Sequence, residues 1–393
     1  MLVILTILAV LALAAWIVQL TLRGGFWRAD VRLERDKPGF GPWPKVIAVI
    51  PARNEASIIR RSVASLLGQD YPGRLSLIVV DDRSDDDTAE EARRTAAELG
   101  AEDRLVVMAG APLPEGWTGK LWAVEQGVRR AATRAEPTFL LLTDADISHD
   151  ERSLRRLVAK AESDKVDLVS LMVLLRCRSG WERLLIPAFV FFFQMLYPFP
   201  LVNRPGSRVA AAAGGCMLVR RAALERAGGI AAIRSAIIDD CALARMIKSQ
   251  GGRLWLGLTE EVRSLRPYDS LETIWGMVAR SAYAQLKYSP LLLIGTVLGM
   301  VLIFLAPPLL AILGCLAGKP VLAAPALLAW LAMAVAYRPT LKLYRRSALL
   351  APLLPVAATL YTAMTVDSAR RHWRGKGGAW KGRTYSRDLR PSG

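Results

Sequence analysis

Histidine and cysteine are scarce in this chain of 393 residues. It has two histidines, His149 and His372, and four cysteines. An inventory of two histidines nearly excludes a histidine-based metal site or catalytic triad. The cysteines show neither metal-ligand spacing nor a disulfide pattern, which favours reduced thiols in a cytosolic setting. No zinc-finger spacing or aromatic-basic RNA motif occurs either, which argues against nucleic acid as a partner.

Acidic residues are also in the minority, with 35 Asp and Glu against 52 Lys and Arg and a net charge of +17. The hydrophobic share of 53% is too high for an ordinary soluble enzyme. Much of the basic excess flanks apolar segments, as expected near anionic headgroups under the positive-inside rule. These basic positions are Arg23, Arg28, Arg32 and Arg35, then Arg338, Lys342, Arg345 and Arg346, then the stretch 370–390.

The apolar segments lie at both ends of the chain. Residues 1–22 carry no charge and are long enough to cross a bilayer. A cleaved signal peptide is the alternative, but the basic n-region is missing, so we expect an uncleaved anchor. Between 290 and 367 we expect membrane helices, followed by a basic cytosolic tail at 368–393. The C-terminal apolar stretches are 291–316, 321–337 and 348–366.

The number of crossings conflicts with the charge of the tail. With a cytosolic central domain, three full C-terminal crossings would place the basic tail outside. Either one stretch is therefore re-entrant, 348–366 with Pro352 and Pro355 being the best candidate, or the tail is an exception.

Residues 40–288 read as a water-soluble α/β domain. Strands alternate with helices, which predicts a doubly wound, mostly parallel sheet with its ligand at the carboxyl ends of the strands. Inside it, 184–202 is apolar and aromatic, and is either an interfacial segment or a buried helix. The predicted strands are Lys45–Pro51, Leu75–Asp81, Arg104–Ala109, Thr138–Thr143 and Val166–Met172, and the predicted helices are 55–68, 87–99, 120–134 and 151–163.

Three polar clusters follow the first, second and fourth predicted strands, so they should meet at one edge of the sheet. Asp144 and Asp146 are the most informative. Residues two apart project to the same side, so this pair can share one Mg²⁺ or Mn²⁺ and leave other positions for phosphate oxygens and water. The clusters are Asn54-Glu55 after Pro51, Asp81-Asp82, and Asp144 with Asp146.

Each of these motifs also has a purely structural interpretation. Asn54 can be a helix N-cap and Glu55 a first-turn acid, rather than contacts to a nucleotide base or ribose. Asp81 and Asp82 can accept from an imide N–H or a ribose hydroxyl, or merely begin a turn. Lys120, placed against a helix dipole, needs an anionic partner such as a diphosphate or a carboxylate, unless it is simply a surface lysine.

A last acidic pair, Asp239 and Asp240, opens an amphipathic helix. One of the two can be a general base that takes the proton from an acceptor hydroxyl. A base opposite the leaving group implies inversion at the anomeric carbon. The alternative is that both acids serve only to stabilise the helix start through a favourable interaction with the helix dipole.

Together these motifs resemble the family-two inverting glycosyltransferases, over roughly residues 45–285. The resemblance implies the two-layer nucleotide-diphospho-sugar fold, of the GT-A type. It further implies that Asp81 and Asp82 bind the donor base, that Asp144 and Asp146 hold donor and metal, and that Asp240 is the base.

Two further regions bear on the resemblance. Processive members carry Q-x-x-R-W, of which only Arg280 is present here, so the resemblance implies transfer of a single sugar with Arg280 near the leaving diphosphate. The tail GAWKGR, with Lys381 and Arg383, is similar to the terminal motif of lipid-directed members. It either contacts the diphosphate or anchors at headgroups.

The motifs GWTGKLWA, IDDCALAR and MVARSAYAQLKYSP are similar to those of the hopene-associated glycosyltransferases of bacterial hopanoid gene clusters. The resemblance implies a multi-pass enzyme of the bacterial inner membrane with a cytosolic active site. Its donor would be a nucleotide sugar, most readily a UDP-sugar, and its acceptor a lipid hydroxyl, on a hopanoid for this group. Transfer to a polyprenyl phosphate and a catalytically silent scaffold are the alternatives.

Overall fold

The chain folds into two compact units, each built from segments that are distant in sequence. A computed structural model describes residues 1–33, 41–375, 379–380 and 383–384. The helical unit comprises residues 1–30, 177–200 and 268–375. The sheet unit comprises the described parts of 31–176 and 201–267, with the two short terminal strands.

Within the described residues, the sheet unit has one eight-stranded sheet in the order β3-β2-β1-β4-β7-β6-β8-β5. Strands β1 to β4 run parallel, β7 is antiparallel to both of its neighbours, and β6 and β8 are again parallel. The strands are β1 (Val46–Ala52), β2 (Leu75–Asp81), β3 (Leu105–Ala109), β4 (Phe139–Thr143), β5 (Ile147–His149), β6 (Leu168–Leu174), β7 (Cys216–Arg220) and β8 (Leu254–Ser264), with β9 (Ala379–Trp380) and β10 (Arg383–Thr384) pairing separately.

The helices of both units follow in chain order. They are α1 (Leu2–Thr21), α2 (Ala56–Leu67), α3 (Thr88–Glu98), α4 (Gly119–Ala135), α5 (Ser153–Ser163), α6 (Gly180–Leu196), α7 (Phe199–Asn203), α8 (Arg221–Arg226), α9 (Asp239–Ser249), α10 (Leu271–Ala279), α11 (Ala282–Gln285), α12 (Pro290–Met300), α13 (Ala306–Leu316), α14 (Pro320–Leu343) and α15 (Leu354–Trp373).

The five predicted strands correspond to β1–β4 and β6, and the four predicted helices to α2–α5, with ends that agree within two residues. The doubly wound, mostly parallel sheet is confirmed. All seven residues of β1 are buried, which is why this strand reads as a continuous apolar run. Strands β5, β7 and β8 were not predicted; β5 has only three residues, and β8 ends in a stretch that contains Glu260, Glu261 and Arg263.

Helix α4 packs closely on the sheet because of one glycine. A Cβ at Gly127 would lie 2.4 Å from Val49 Cγ1, nearer than such atoms approach one another. The helix begins at Thr118, whose hydroxyl accepts a hydrogen bond from the Leu121 amide at 3.4 Å. These two contacts determine where the first turn of α4 lies, and that turn carries Lys120.

In the helical unit, four segments are long and apolar enough to cross a membrane within the described part of the chain. Helices α12 and α13 count as one of them, because a π-helical turn at Val301–Leu305 joins them into one run. The segments are Leu2–Thr21, Pro290–Leu316, Pro320–Leu343 and Ala348–Trp373.

Contacts within this unit show which ends of the first three segments lie together. Ala9 of α1 packs with Leu310 and Ala326, whereas the Trp16 indole donates to the Ile303 carbonyl at 2.8 Å. The end of α1 therefore lies toward the start of α12 and the end of α14. We call this the near end of the unit, and the α13–α14 turn lies at the far end.

The fourth segment differs from the others. It begins beside the middle of α14, where the Trp330 indole donates to the Pro352 carbonyl at 3.1 Å. It ends beside the start of α12, where the ring of His372 stacks on that of Tyr288 with centroids 4.4 Å apart. Since the chain leaves α14 at the near end, this segment enters and leaves at the same end.

Helix α6 also belongs to the helical unit. Its Phe191 is buried against Tyr337, and the Tyr361 hydroxyl donates to the Leu185 carbonyl at 2.9 Å. Residues 177–200 and 268–288 lie inside the predicted 40–288 domain but pack in this second unit. The segment 184–202 therefore forms mainly a buried helix with Pro187 inside it.

Candidate active site

The polar clusters predicted to meet do lie at the carboxyl edge of the sheet. Parallel pairing of β1 with β2 and β4 places the ends of these three strands side by side. Helices α4 and α9 point their first turns at the same edge. One cavity of the sheet unit is lined together by Pro51, Lys120, Asp144, Gly214 and Asp239.

Lys120 joins two of the predicted acids. Its Nζ lies 2.9 Å from Asp144 Oδ1 and 3.1 Å from Asp239 Oδ2. Burial alone would lower the pKa of Lys120, but these two carboxylates, helped by Asp240, raise it well above its usual range. The lysine is therefore charged at any working pH, and the nearby carboxylates are the anionic partners that its place at a helix start requires.

The pKa of Asp144 is raised. Burial is the main cause and the charge of Asp146 adds to it, while Lys120 acts in the opposite direction. Burial therefore disfavours the charged form of Asp144, and positive charge nearby stabilises its carboxylate.

Asp146 is paired with a different cation. Arg266, just after β8, donates from Nε to Asp146 Oδ2 at 2.6 Å and from Nη2 to Glu55 Oε1 at 2.5 Å. The amide of Leu265 also donates to the Asp146 carbonyl at 2.8 Å. One guanidinium therefore ties the end of β1 to the end of β4.

Asp240 is held by backbone amides. Its Oδ2 accepts from the Gly214 amide at 2.9 Å, and its Oδ1 accepts from the Cys241 amide at 2.6 Å. Burial and the neighbouring charge of Asp239 raise its pKa to about 6, against the lowering effect of Lys120 and of these two hydrogen bonds. A carboxylate with a pKa near the working pH suits general base catalysis.

The residues after β1 and β2 form a second cluster. Asp82 is fully buried, and Ser84 donates its hydroxyl hydrogen to Asp81. Asn54 has a left-handed φ of 52°, and its Oδ1 accepts from the Asp85 amide at 2.9 Å. The amide of Ala56 in the first turn of α2 bonds to Asp86 instead, at 3.1 Å, so Asn54 is not the cap that the structural interpretation expected.

The residues present fit a hard divalent cation. Among the described residues no group of three or more His, Cys, Asp or Glu forms a complete metal cage. Mg²⁺, however, is commonly held by one or two carboxylates together with substrate phosphates. Asp144 and Asp146 supply such carboxylates, and both are already compensated by protein cations.

Three predicted site residues are not among the described side chains of the sheet unit. Arg280 is the exposed C-cap of α10 in the helical unit. Lys381 falls outside the described residues. Arg383 lies in β10, of which the backbone alone is described. Their assigned roles stay predictions.

Sequence reasoning missed Arg266 and Gly214. Arg266 has no motif around it, and the available signal was indirect: five acids at one sheet edge need more positive charge than Lys120 supplies. Gly214 lies against both groups, because a Cβ there would be in ordinary van der Waals contact, 3.4 Å from Asp240 Oδ2 and 3.5 Å from Lys120 Nζ.

The chain matches a known protein family. The model of the family described as "Glycosyltransferase like family 2" matches residues 44–284. The chain belongs to this family. A comparison with curated proteins found no match.

Two solved structures are similar to this chain. The mannosyltransferase PcManGT from Pyrobaculum calidifontis, in complex with GDP-Man and Mn²⁺, aligns over 94% of this chain and 99% of its own, with 21% identity and a TM-score of 0.55. Glucosyl-3-phosphoglycerate synthase from Mycobacterium tuberculosis, with Mg²⁺ and UDP, aligns over 64% of this chain and 85% of its own, with 16% identity and a TM-score of 0.42. The family match and the likeness to PcManGT show a fold of the GT-A type, with long apolar helices toward both ends of the chain.

Proposed function

We propose that this glycosyltransferase moves one sugar, with inversion, from a nucleotide-sugar donor to a hydroxyl of a lipid. The observation that carries the proposal is the cluster around Lys120. There a partly buried carboxylate with a raised pKa, Asp240, lies beside the acids suited to a donor diphosphate.

Donor binding is assigned to the edge formed by β1, β2 and β4. Asp81 and Asp82, with Asn54 and Glu55, would recognise the base and ribose, and Pro51 would line the pocket beside them. A UDP-sugar is the proposed donor. The PcManGT structure contains GDP-Man, so both nucleotides belong in the test.

The diphosphate is assigned to the second half of the site. Asp144 and Asp146 would hold Mg²⁺ or Mn²⁺, with Asp239 and Lys120 completing the charge balance. When bound, the cation would neutralise charge that develops on the leaving diphosphate. Arg280, Lys381 and Arg383 are proposed as additional cationic partners of that diphosphate.

Asp240 would then act as the base. It takes the proton of the acceptor hydroxyl as that oxygen bonds to the anomeric carbon and the bond from this carbon to the diphosphate breaks. Attack opposite the leaving group inverts the anomeric configuration. The two amides at Gly214 and Cys241 orient the carboxylate, so no reorganisation is needed during the step.

The helical unit supports an inner-membrane location with the catalytic site in the cytosol. Basic residues concentrate at the near end of the unit, and Lys319 lies in the far turn between α13 and α14. Under the positive-inside rule the near end faces the cytosol. If 348–373 is re-entrant, the basic tail also emerges there. The near-end basic residues are Arg23, Arg28, Lys342, Arg345, Arg346, Arg370, Arg371 and Arg374.

The test uses purified full-length protein in detergent with UDP- and GDP-sugars and the producing organism's own lipids, including its hopanoids, read by mass spectrometry. A lipid that gains one sugar only with a divalent cation supports the proposal. Asp240→Asn should lower the rate of product formation by about 10²–10⁴, and Asp87→Asn is the matched control, because Asp87 is an exposed acid at another helix start. Nucleotide binding without any lipid product, given complete lipids, would contradict it.

A further inference from the structure

The helical unit contains a cavity of about 450 Å³ that the proposed reaction does not use. Its volume lies in the range of small-molecule sites. It lies between α6, the end of α14, and the turn and first residues of the segment that reaches α15. Its apolar walls include Leu184, Tyr337, Leu341, Leu350, Leu354 and Ala357.

Arginines line one side of this cavity. Arg183, Arg345 and Arg346 all contribute, and no carboxylate belongs to the lining within the described residues. Arg345 and Arg346 directly follow α14, at the near end of the unit. The cavity thus has a cationic side at the near end and apolar walls that continue along the helices.

Arg346 has unused hydrogen-bonding capacity. Its Nη2 donates to the Cys177 carbonyl at 2.6 Å, which holds the guanidinium in place. Its Nε is buried and has no hydrogen-bond partner in the described part of the chain. A buried charged donor without an acceptor is costly, and the negative charge of an anion bound in the cavity would offset that cost through the same guanidinium.

We propose that this cavity binds a lipid phosphate, with the phosphate against Arg346 and its neighbouring arginines and the hydrocarbon along the leucine-lined walls. Arginine suits the phosphate because its planar guanidinium donates two parallel hydrogen bonds to phosphate oxygens. The apolar walls require the hydrocarbon, and the near-end location places the phosphate at headgroup level. The proposal concerns binding and is independent of which lipid accepts the sugar.

Binding is measured on the full-length protein in a non-ionic detergent by calorimetry or thermophoresis. Dodecyl phosphate is the probe, and dodecanol and inorganic phosphate are the two partial probes. Saturable binding of dodecyl phosphate, at least tenfold tighter than that of either partial probe, is expected. If inorganic phosphate bound as tightly as dodecyl phosphate, the apolar walls would contribute nothing to binding. If dodecanol bound as tightly as dodecyl phosphate, the arginines would contribute nothing. Either result overturns the proposal.

Variants locate the site. Arg346→Gln should weaken dodecyl phosphate about 10- to 100-fold, as loss of a charge-assisted hydrogen bond predicts. Lys342→Gln removes the same charge from an exposed residue at the same end of α14, outside the cavity lining, and should leave affinity unchanged. An equal loss of dodecyl phosphate affinity in both variants would mean that the probe is attracted to basic charge in general. That result would overturn the assignment of the site to this cavity.

A second variant covers the case in which Arg346→Gln does not fold. Leu353 lines the cavity and is 44% exposed, so Leu353→Trp can fill the apolar part from its edge. We expect dodecyl phosphate to bind at least tenfold more weakly to this variant, whose folding is checked by its melting temperature. Unchanged affinity in a folded Leu353→Trp protein would contradict the proposal.

Discussion

Lys120 Nζ lies 2.9 Å from Asp144 Oδ1, and this ion pair joins the first turn of α4 to the end of β4. The same ammonium reaches Asp239 at the start of α9. A single lysine therefore balances acids from two separate motifs. That arrangement explains how several carboxylates can share one partly buried edge without unfolding it.

The first prediction concerns this lysine. Lys120→Met should destabilise the protein by about 3–5 kcal/mol, because it leaves two partly buried carboxylates without their counter-charge. Chemical denaturation of the sheet unit within the full-length protein, followed by intrinsic fluorescence, measures the change. Arg129→Met, on the exposed face of the same helix, removes an ion pair to Glu125 and should cost less than about 1 kcal/mol. Equal losses would contradict the assigned role.

The second prediction concerns Arg266. Arg266→Gln should weaken donor binding about tenfold or more, because Asp146 and Glu55 then lose the group that holds them in position. Titration with a non-hydrolysable nucleotide sugar and Mn²⁺ measures it. Arg263→Gln is the control, since Arg263 is an exposed residue near the end of β8, three positions before Arg266, and donates to the Glu260 carbonyl. Unchanged donor affinity in Arg266→Gln would exclude Arg266 as a positioning residue.

The third prediction concerns the close contact of α4 with the sheet. Gly127→Ala should destabilise the protein by about 1–3 kcal/mol, because the new methyl group overlaps Val49 and outweighs the gain in helix propensity. Adding Val49→Ala should recover part of the loss, since it removes the overlapping methyl groups. A melting-temperature series on the two single variants and the double variant tests this. If the melting-temperature changes of the two single variants simply add up in the double variant, the proposed overlap between residue 127 and Val49 would be contradicted.

The acidic edge of the sheet could be predicted because acidic residues directly follow the apolar runs that form the strands. Buried apolar runs such as β1 and β4 are readily seen, and parallel pairing then brings Glu55, Asp82 and Asp144 together. Asp239 and Asp240 were found only through the resemblance and the helix start. Their contact with Lys120 depends on how α4 and α9 approach each other.

Other features depend on packing that local sequence does not encode. Arg266 reaches Asp146 across 120 positions of sequence, and its surroundings carry no motif. Residues 177–200 lie between two stretches of the sheet unit, yet their apolar side chains pack with α14 and α15. The sequence shows that this segment is unusually apolar for the middle of a water-soluble domain. Only the folded structure shows which hydrophobic core it packs into.

The last prediction concerns pH. If Asp240 is the base, it must be ionised to accept the acceptor proton, so turnover should be constant above its pKa of about 6 and should fall about tenfold for each pH unit below it. Asp240→Asn should lower turnover by about 10²–10⁴ and abolish this acidic limb, while donor binding persists. Turnover with saturating donor and acceptor between pH 5 and 8, alongside nucleotide titration, measures both effects. A variant that keeps normal turnover would remove Asp240 as the base. An acidic limb retained in the weakly active Asp240→Asn enzyme would assign the ionisation to another group, because asparagine does not titrate.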